Sequence, residues 1–336
     1  MPDRSGRSGR SGWGRPRIPG YCAGHDGRVA FSTGRGSLSG FPTCVAGEPL
    51  CGRRRPTYRR DMAEQHIQDA PETAAPSAAR YPITDADVRF YREHGYLLVK
   101  GILDAGEAAA MRQECHDLLG RLNDTEDPTW GSAREAAAGT GIHTGATRLR
   151  HCHDTQFHSA AFARLLVDRR FTDTAAALNG SPNVQLHHTK MFVKPPENGS
   201  PFPMHQDHPF FPHAKDSVAA AIFHFSDASE EQGCVRVVPG SHREGPLEHI
   251  EDGSWHLSPD QWPLADAVPC PAEAGDVLFF TYLTVHGSGL NTSDQERVTW
   301  LVQYRDPEDR PTTDEHQWSL GQGMILRGVD PTGRRP

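Results

Sequence analysis

The sequence predicts an α+β, mainly β fold: a double-stranded β-helix of the jelly-roll or cupin-like kind, with N-terminal helices packed on one sheet. Three observations predict it. Helical stretches, two of them with capping residues, come first, between Tyr81 and Leu166. After Pro182 the texture changes to short β-rich runs separated by Gly, Pro, Asp and Ser clusters. No glycine fingerprint of a nucleotide fold stands between a strand and a helix.

Taken in order, Thr84 is placed to cap a helix running through Val88, Phe90 and Tyr91, with Gly95 as its stop. Tyr96-Leu97-Leu98-Val99 reads as a strand. Asp104 followed by Glu107 has the spacing of a capping box and opens a helix through Met111, Cys115, Leu118 and Leu119. A further helical stretch covers 160–166. The β-rich half then offers candidate strands at 184–186, 189–193, 218–225, 235–238, 276–282 and 298–304.

The first 61 residues differ from all of this. They are built from Gly, Arg, Ser and Pro, repeat Ser-Gly-Arg at 5–7 and 8–10, and show no periodicity. They are expected to be a disordered or mis-annotated extension, because Met62 opens an ordinary Ala/Glu/Gln stretch; a basic arm or a transit peptide is the competing reading. Residues 62–80 read as a flexible lead-in and 81–336 as a single domain.

Charge and cysteine usage narrow the classes of partner. The chain carries −8, yet residues 1–61 hold 12 Arg and no Lys against four acids, so residues 62–336 carry −16. An acidic body is a poor binder of polyanions, which argues against nucleic acid. Seven cysteines without a Cys-x-x-Cys pair suggest neither a disulfide framework nor a zinc ribbon, but scattered thiols in a reducing cytoplasm. No run is apolar enough for a membrane span, and nothing indicates an obligate protein partner.

The chain has 19 His, so roughly one His-x-Asp is expected by chance, and His205-Gln206-Asp207 proves nothing alone. Its chemistry gives it content. An iron(II) oxygenase needs two neutral imidazoles and one carboxylate on one face, with three positions left open. His205 and Asp207 at i and i+2 of an extended strand would point the same way. A third ligand is expected from a distant strand of the opposing sheet, and His286, between Val277-Leu278-Phe279-Phe280 and Gly287-Ser288-Gly289, stands where such a strand ends. Taken singly, these residues are more often a surface histidine, a turn aspartate and a core histidine. His151 and His153 read as loop or pocket-rim residues, and His242 and His249 as surface.

The ordered series Lys194-Pro195-Pro196, Met204-His205-Gln206-Asp207, Gly233-Cys234, Pro239-Gly240-Ser241-His242, Gly275-Asp276-Val277, His286-Gly287-Ser288-Gly289 with Asn291, and Arg297 resembles the phytanoyl-CoA dioxygenase family across about 81–305. The resemblance implies iron(II) held by His205, Asp207 and His286, with 2-oxoglutarate and O2 as cosubstrates and ascorbate helpful. It also implies that Arg297 anchors the far carboxylate of 2-oxoglutarate, helped by the Ser288 hydroxyl, with Lys194 nearby. An Arg fork suits a carboxylate. Arg297 as a strand-end ion pair, Ser288 as a turn residue and Lys194 as a solvated lysine are the plainer readings. Asp207 argues against the halogenating branch, where a small residue replaces the carboxylate.

Substrate-facing positions carried over are His188, Lys190 and Phe223; relatives acting on acyl-CoA have an apolar residue at Lys190 and Trp at Phe223. The histidine-rich segments and acidic body point to a small polar metabolite, aminocyclitol, sugar-like or amino-acid-derived, hydroxylated at an unactivated carbon in antibiotic tailoring. An acyl-CoA or lipid hydroxylase, and a non-catalytic jelly-roll binding module, are the alternatives.

Overall fold

The computed structural model describes residues 78–123, 134–136, 147–252, 254–313 and 319–333. The expected extension 1–61 lies outside the described residues. So does the lead-in except for Ala78–Arg80, which is a strand.

The strands in chain order are β1 (Ala78–Arg80), β2 (Tyr96–Lys100), β3 (Arg134–Ala136), β4 (Thr147–His153), β5 (Val184–Lys194), β6 (Phe202–His205), β7 (Ala219–His224) and β8 (Val235–Val237). They continue with β9 (Ile250–Asp252), β10 (Ser254–His256), β11 (Val268–Cys270), β12 (Val277–Thr281), β13 (His286–Ser288), β14 (Arg297–Arg305) and β15 (Ile325–Arg327). The helices are α1 (Asp85–His94), α2 (Ala105–Asn123), α3 (Ala160–Leu166) and α4 (Arg169–Asn179).

Local chemistry sets the helix ends. Thr84 accepts from the Asp87 amide while the Asp87 carboxylate accepts from the Thr84 amide, and Gly95 closes α1 in the left-handed region at φ 79°. Asp104 and Glu107 exchange the same pair of bonds at 2.9 and 2.8 Å ahead of α2. α4 is absent from the sequence reading. Its signals are present: Asp168 caps it, Phe171, Ala175 and Leu178 lie on one face, and Gly180 ends it at φ 67°.

A nine-stranded sheet runs β1-β2-β12-β7-β14-β5-β4-β3, with β15 added on β5, and a four-stranded sheet runs β11-β8-β13-β6. The expected strands at 184–186 and 189–193 are one strand, β5, whose register against β14 shifts between Leu186 and His188. The two faces of the large sheet do different work. Phe223, Val298, Trp300, Val302 and Tyr304 pack under Phe162 and Phe171, the latter two supplied by α3 and α4. On the opposite face Leu98, Ala220, Leu278 and Phe280 meet Val235, Val237 and Cys270 of the smaller sheet. That sandwich is the jelly roll, and β14 supplies its interior with Arg297, Thr299, Leu301, Gln303 and Arg305.

Several glycines and acids singled out in the sequence hold turns at the sandwich edge. Gly275 has φ 102°, and a Cβ there would run into the Leu103 carbonyl. Beside it, Asp276 accepts from the amides of Gly101 and Glu273, tying the start of β12 to the end of β2. The four described cysteines are buried free thiols, and no described helix is long and apolar enough to cross a membrane.

Candidate metal and anion site

β6 and β13 pair antiparallel with His205 opposite His286. Two expectations change here. The distal histidine comes from the strand next to His205 in the same sheet, not from the opposing one. The strand also ends at His205: Asp207 is helical in backbone (φ −75°, ψ −20°) and opens the 3₁₀ turn His208–Phe210. The turn, rather than the two-residue repeat of a strand, brings the carboxylate under the rings.

Ligand atoms of His205, Asp207 and His286 lie within 4.8 Å of one another, with Asp207 Oδ1 3.5 Å from His205 Nε2 and 3.8 Å from His286 Nε2. The orientation is imposed by neighbours. His205 Nδ1 donates to the Pro203 carbonyl at 2.8 Å and His286 Nδ1 to the Thr284 carbonyl at 2.9 Å, which leaves both Nε2 lone pairs facing the gap. Gln303 Nε2 donates to Asp207 Oδ2 at 2.7 Å, leaving Oδ1 toward the imidazoles. Burial pushes His286 down to about 4, so the ring is neutral near pH 7. Burial works to raise the Asp207 carboxyl, but the imidazoles of His286 and His205 outweigh it and hold it below the ordinary range.

The segment between the ligands is clamped from the other side. Gln206 is fully buried; its amide donates to the Gly245 and Leu283 carbonyls and accepts from the Leu247 amide. Its own backbone N–H donates to His249 Nε2 at 2.9 Å, while His249 Nδ1 donates to the Leu247 carbonyl. His249 is therefore not a surface residue, and neither is His242, half-buried with Nε2 on the Arg92 carbonyl at 3.1 Å. The amides of Asp207 and His208 both donate to the Tyr282 carbonyl.

Two buried cations stand on the same interior face. Arg297 and Lys194 are opposite one another in register, 4% and 0% exposed, and neither has a carboxylate partner among the described residues. Lys194 Nζ donates to Ser288 Oγ and the Gly289 carbonyl, both at 2.7 Å. Arg297 Nη1 donates to the Gly233 carbonyl, while Nε is buried without a partner. Burial pushes Arg297 down to about 10, and burial with the Arg297 charge beside it depresses Lys194 further from its ordinary value. Asn291 Nδ2 donates to the Pro195 and Gln295 carbonyls, holding the loops that carry these cations. Such a pair demands an anion.

Of the expected substrate positions, His188 and Lys190 lie on this interior face, paired with Gln303 and Leu301. Phe223 does not. It pairs with Trp300 on the helix-facing side, 5.4 Å from the Phe171 ring, and its neighbour Ile222 faces inward. His151 and His153 are not in a loop but on β4, opposite Phe192 and Lys190.

Residues 91–299 match the family described as phytanoyl-CoA dioxygenase (PhyH). The chain belongs to the phytanoyl-CoA dioxygenase family. Among its relatives, a probable phytanoyl-CoA dioxygenase of Caenorhabditis elegans is 27% identical over 233 residues, 66% of this chain and 74% of that one. The L-proline trans-4-hydroxylase of Streptomyces griseoviridis is 26% identical over 257 residues, 68% of this chain and 89% of its own. A solved structure, the non-heme alpha ketoglutarate dependent carbocyclase SnoK from nogalamycin biosynthesis, superposes with a TM-score of 0.57 at 27% identity, over 76% of this chain and 98% of that one. As a phytanoyl-CoA dioxygenase relative, the chain is an iron- and 2-oxoglutarate-dependent oxygenase.

Proposed function

We propose that His205, Asp207 and His286 hold iron(II), and that Arg297, Lys194 and Ser288 receive the far carboxylate of 2-oxoglutarate. The observation that carries this reading is the convergence of two imidazoles and one ionised carboxylate beside two buried cations that have no carboxylate partner among the described residues. The donor set fits. Two neutral nitrogens and one carboxylate oxygen on one side suit a divalent metal with open positions, and a buried Arg–Lys pair suits a dicarboxylate.

Bound iron with 2-oxoglutarate supplies the oxidising chemistry that attacks an unactivated C–H bond. The chain's own residues do the rest. Pro203 and Thr284 carbonyls fix the imidazole tautomers, Gln303 fixes the carboxylate, and the Gln206–His249 clamp keeps the ligand turn from relaxing. Lys194 spends two donors on Ser288 and Gly289, which leaves a third for the cosubstrate, alongside the open Nε of Arg297.

The product-forming step we assign is hydroxylation of a small polar metabolite, in the manner of antibiotic tailoring. The proline hydroxylase and the nogalamycin carbocyclase among the relatives support it, as does the run of polar side chains on β4 and β5. A metabolite screen with iron(II), ascorbate and 2-oxoglutarate tests it: a hit forms succinate in a substrate-dependent manner and gains one oxygen in mass. Equal rescue of the chelated protein by zinc(II), which cannot change oxidation state, would refute the reading.

A further inference from the structure

We infer that Thr284 and Ser241 are positioning residues: their hydroxyls lock the turn between β12 and β13 and, through it, the side chains assigned to the metal. This rests on the site assignment above and goes beyond it to residues outside the ligand set.

Residues 282–285 form the turn that links β12 to β13. Three successive carbonyls on it serve the metal site. That of Tyr282 accepts from the amides of Asp207 and His208 at 3.0 and 3.1 Å, that of Leu283 from Gln206 Nε2 at 2.6 Å, and that of Thr284 from His286 Nδ1 at 2.9 Å. The Asp207 turn and the distal histidine thus take their reference from one short stretch of backbone. Planar peptides leave only two soft dihedrals per residue, so these carbonyls cannot be re-aimed one at a time. A shift of the turn moves Asp207 and His286 together.

Two hydroxyls hold that turn in place. Thr284 is fully buried, and its Oγ1 donates to the Gly95 carbonyl at 2.8 Å. With the Thr284 proton committed there, the 2.9 Å contact between Thr284 Oγ1 and Thr281 Oγ1 has Thr281 as donor. Gly95 is the left-handed residue that ends α1, and a Cβ on it would lie 2.7 Å from Thr284 Oγ1, so glycine is what lets the helix end come this close. Ser241 pins the next residue of the turn: its Oγ accepts from the Val285 amide at 2.9 Å and donates to the Val238 carbonyl at 2.7 Å. Ser241 belongs to the Pro239-Gly240-Ser241-His242 series, whose other members tie to the same helix end. Gly240 N–H donates to the His94 carbonyl at 2.8 Å and His242 Nε2 to that of Arg92. The end of α1 is therefore the fixed point from which Thr284 and Ser241 set the aim of His286 and Asp207.

The test is nickel(II) binding to the full chain by calorimetry, with the visible absorption of bound cobalt(II) as a readout of ligand geometry. Thr284→Val keeps the size of the side chain and leaves the Gly95 carbonyl its 3.0 Å bond from the Thr281 amide. It should bind nickel about fivefold or more weakly, the worth of one hydrogen bond, and change the cobalt spectrum. Thr284→Ser restores the hydroxyl and should return both readouts to the parent's values. Ser241→Ala should weaken nickel binding in the same way. Should Thr284→Val fail to fold, Thr281→Val, which removes only the donor to Thr284 Oγ1, takes its place with the same expected changes. A merely structural role predicts a lower melting temperature with nickel affinity and cobalt spectrum unmoved in these variants, and that result overturns the inference. So does a Thr284→Ser protein that behaves like Thr284→Val, since the methyl group and not the hydroxyl would then matter. If the parent itself binds neither metal, the site assignment falls, and this inference with it.

Discussion

Gln303 shows how much of this site depends on a residue that is not a ligand. Its amide is the one described side chain on Asp207 Oδ2, and replacing it with Leu frees that carboxylate to rotate away from the imidazoles. Partners of metal ligands are typically worth about ten- to a hundredfold in metal affinity. Gln303→Leu should therefore weaken iron or nickel binding by that order in a metal titration, with the metal-free melting temperature near the parent's. An unchanged affinity would remove Gln303 from the site. Arg297→Lys keeps charge but loses the planar fork and its Nε, the atom left open in the core. The Michaelis constant for 2-oxoglutarate should rise roughly tenfold or more, with a smaller effect on the main substrate. If Arg297 were only a structural cation, melting temperature would fall and the cosubstrate constant would hold.

At the scale of elements, the loops that join the two sheets are as constrained as the strands. Gly275 sits where the chain turns into β12, at a φ that L side chains rarely adopt and with its Cβ position against the Leu103 carbonyl. Gly275→Ala combines backbone strain with a clash against main chain, and should cost at least about 2 kcal/mol. Equilibrium denaturation is the check. A loss below about 0.5 kcal/mol would mean that the 103–104 segment yields. The helices are tied down differently. Arg170 of α4 spans to Glu107 at 2.8 Å on two bonds and to Asp168 at 2.7 Å, fastening α4 to the first turn of α2. The cluster is partly solvated, so its contribution is modest.

Across the whole molecule, histidine makes stability depend on pH. Burial holds His158, His208, His213, His224, His242, His249 and His286 below their ordinary values, to about 3 for His224 and about 4 for His286. In the unfolded chain these rings take up protons near pH 6.5. Between that value and the folded ones the unfolded state binds more protons, so stability falls as pH drops from about 6.5 toward 4. The metal-free protein should show a melting temperature that declines steeply over that window and levels above about pH 7. A flat profile from about pH 7 to 4.5 would contradict the burial of these rings.

What the sequence determined by itself was local or chemical in kind. The Thr84 cap and the Asp104–Glu107 capping box act within four residues, so they are legible from spacing. The family series names its ligand candidates because iron and 2-oxoglutarate admit few side-chain types. The tertiary structure decided what depends on pairing. Strand alternation has period two, so a one-residue error in alignment exchanges inside for outside; Phe223 falls in the helix-facing core and Ile222 faces inward for that reason. His286 beside His205 in one sheet, Gln303 on the Asp207 carboxylate and His249 behind Gln206 join residues 43 to 96 positions apart. No local pattern marks such contacts, because only the register of one strand on another brings those side chains within a hydrogen bond.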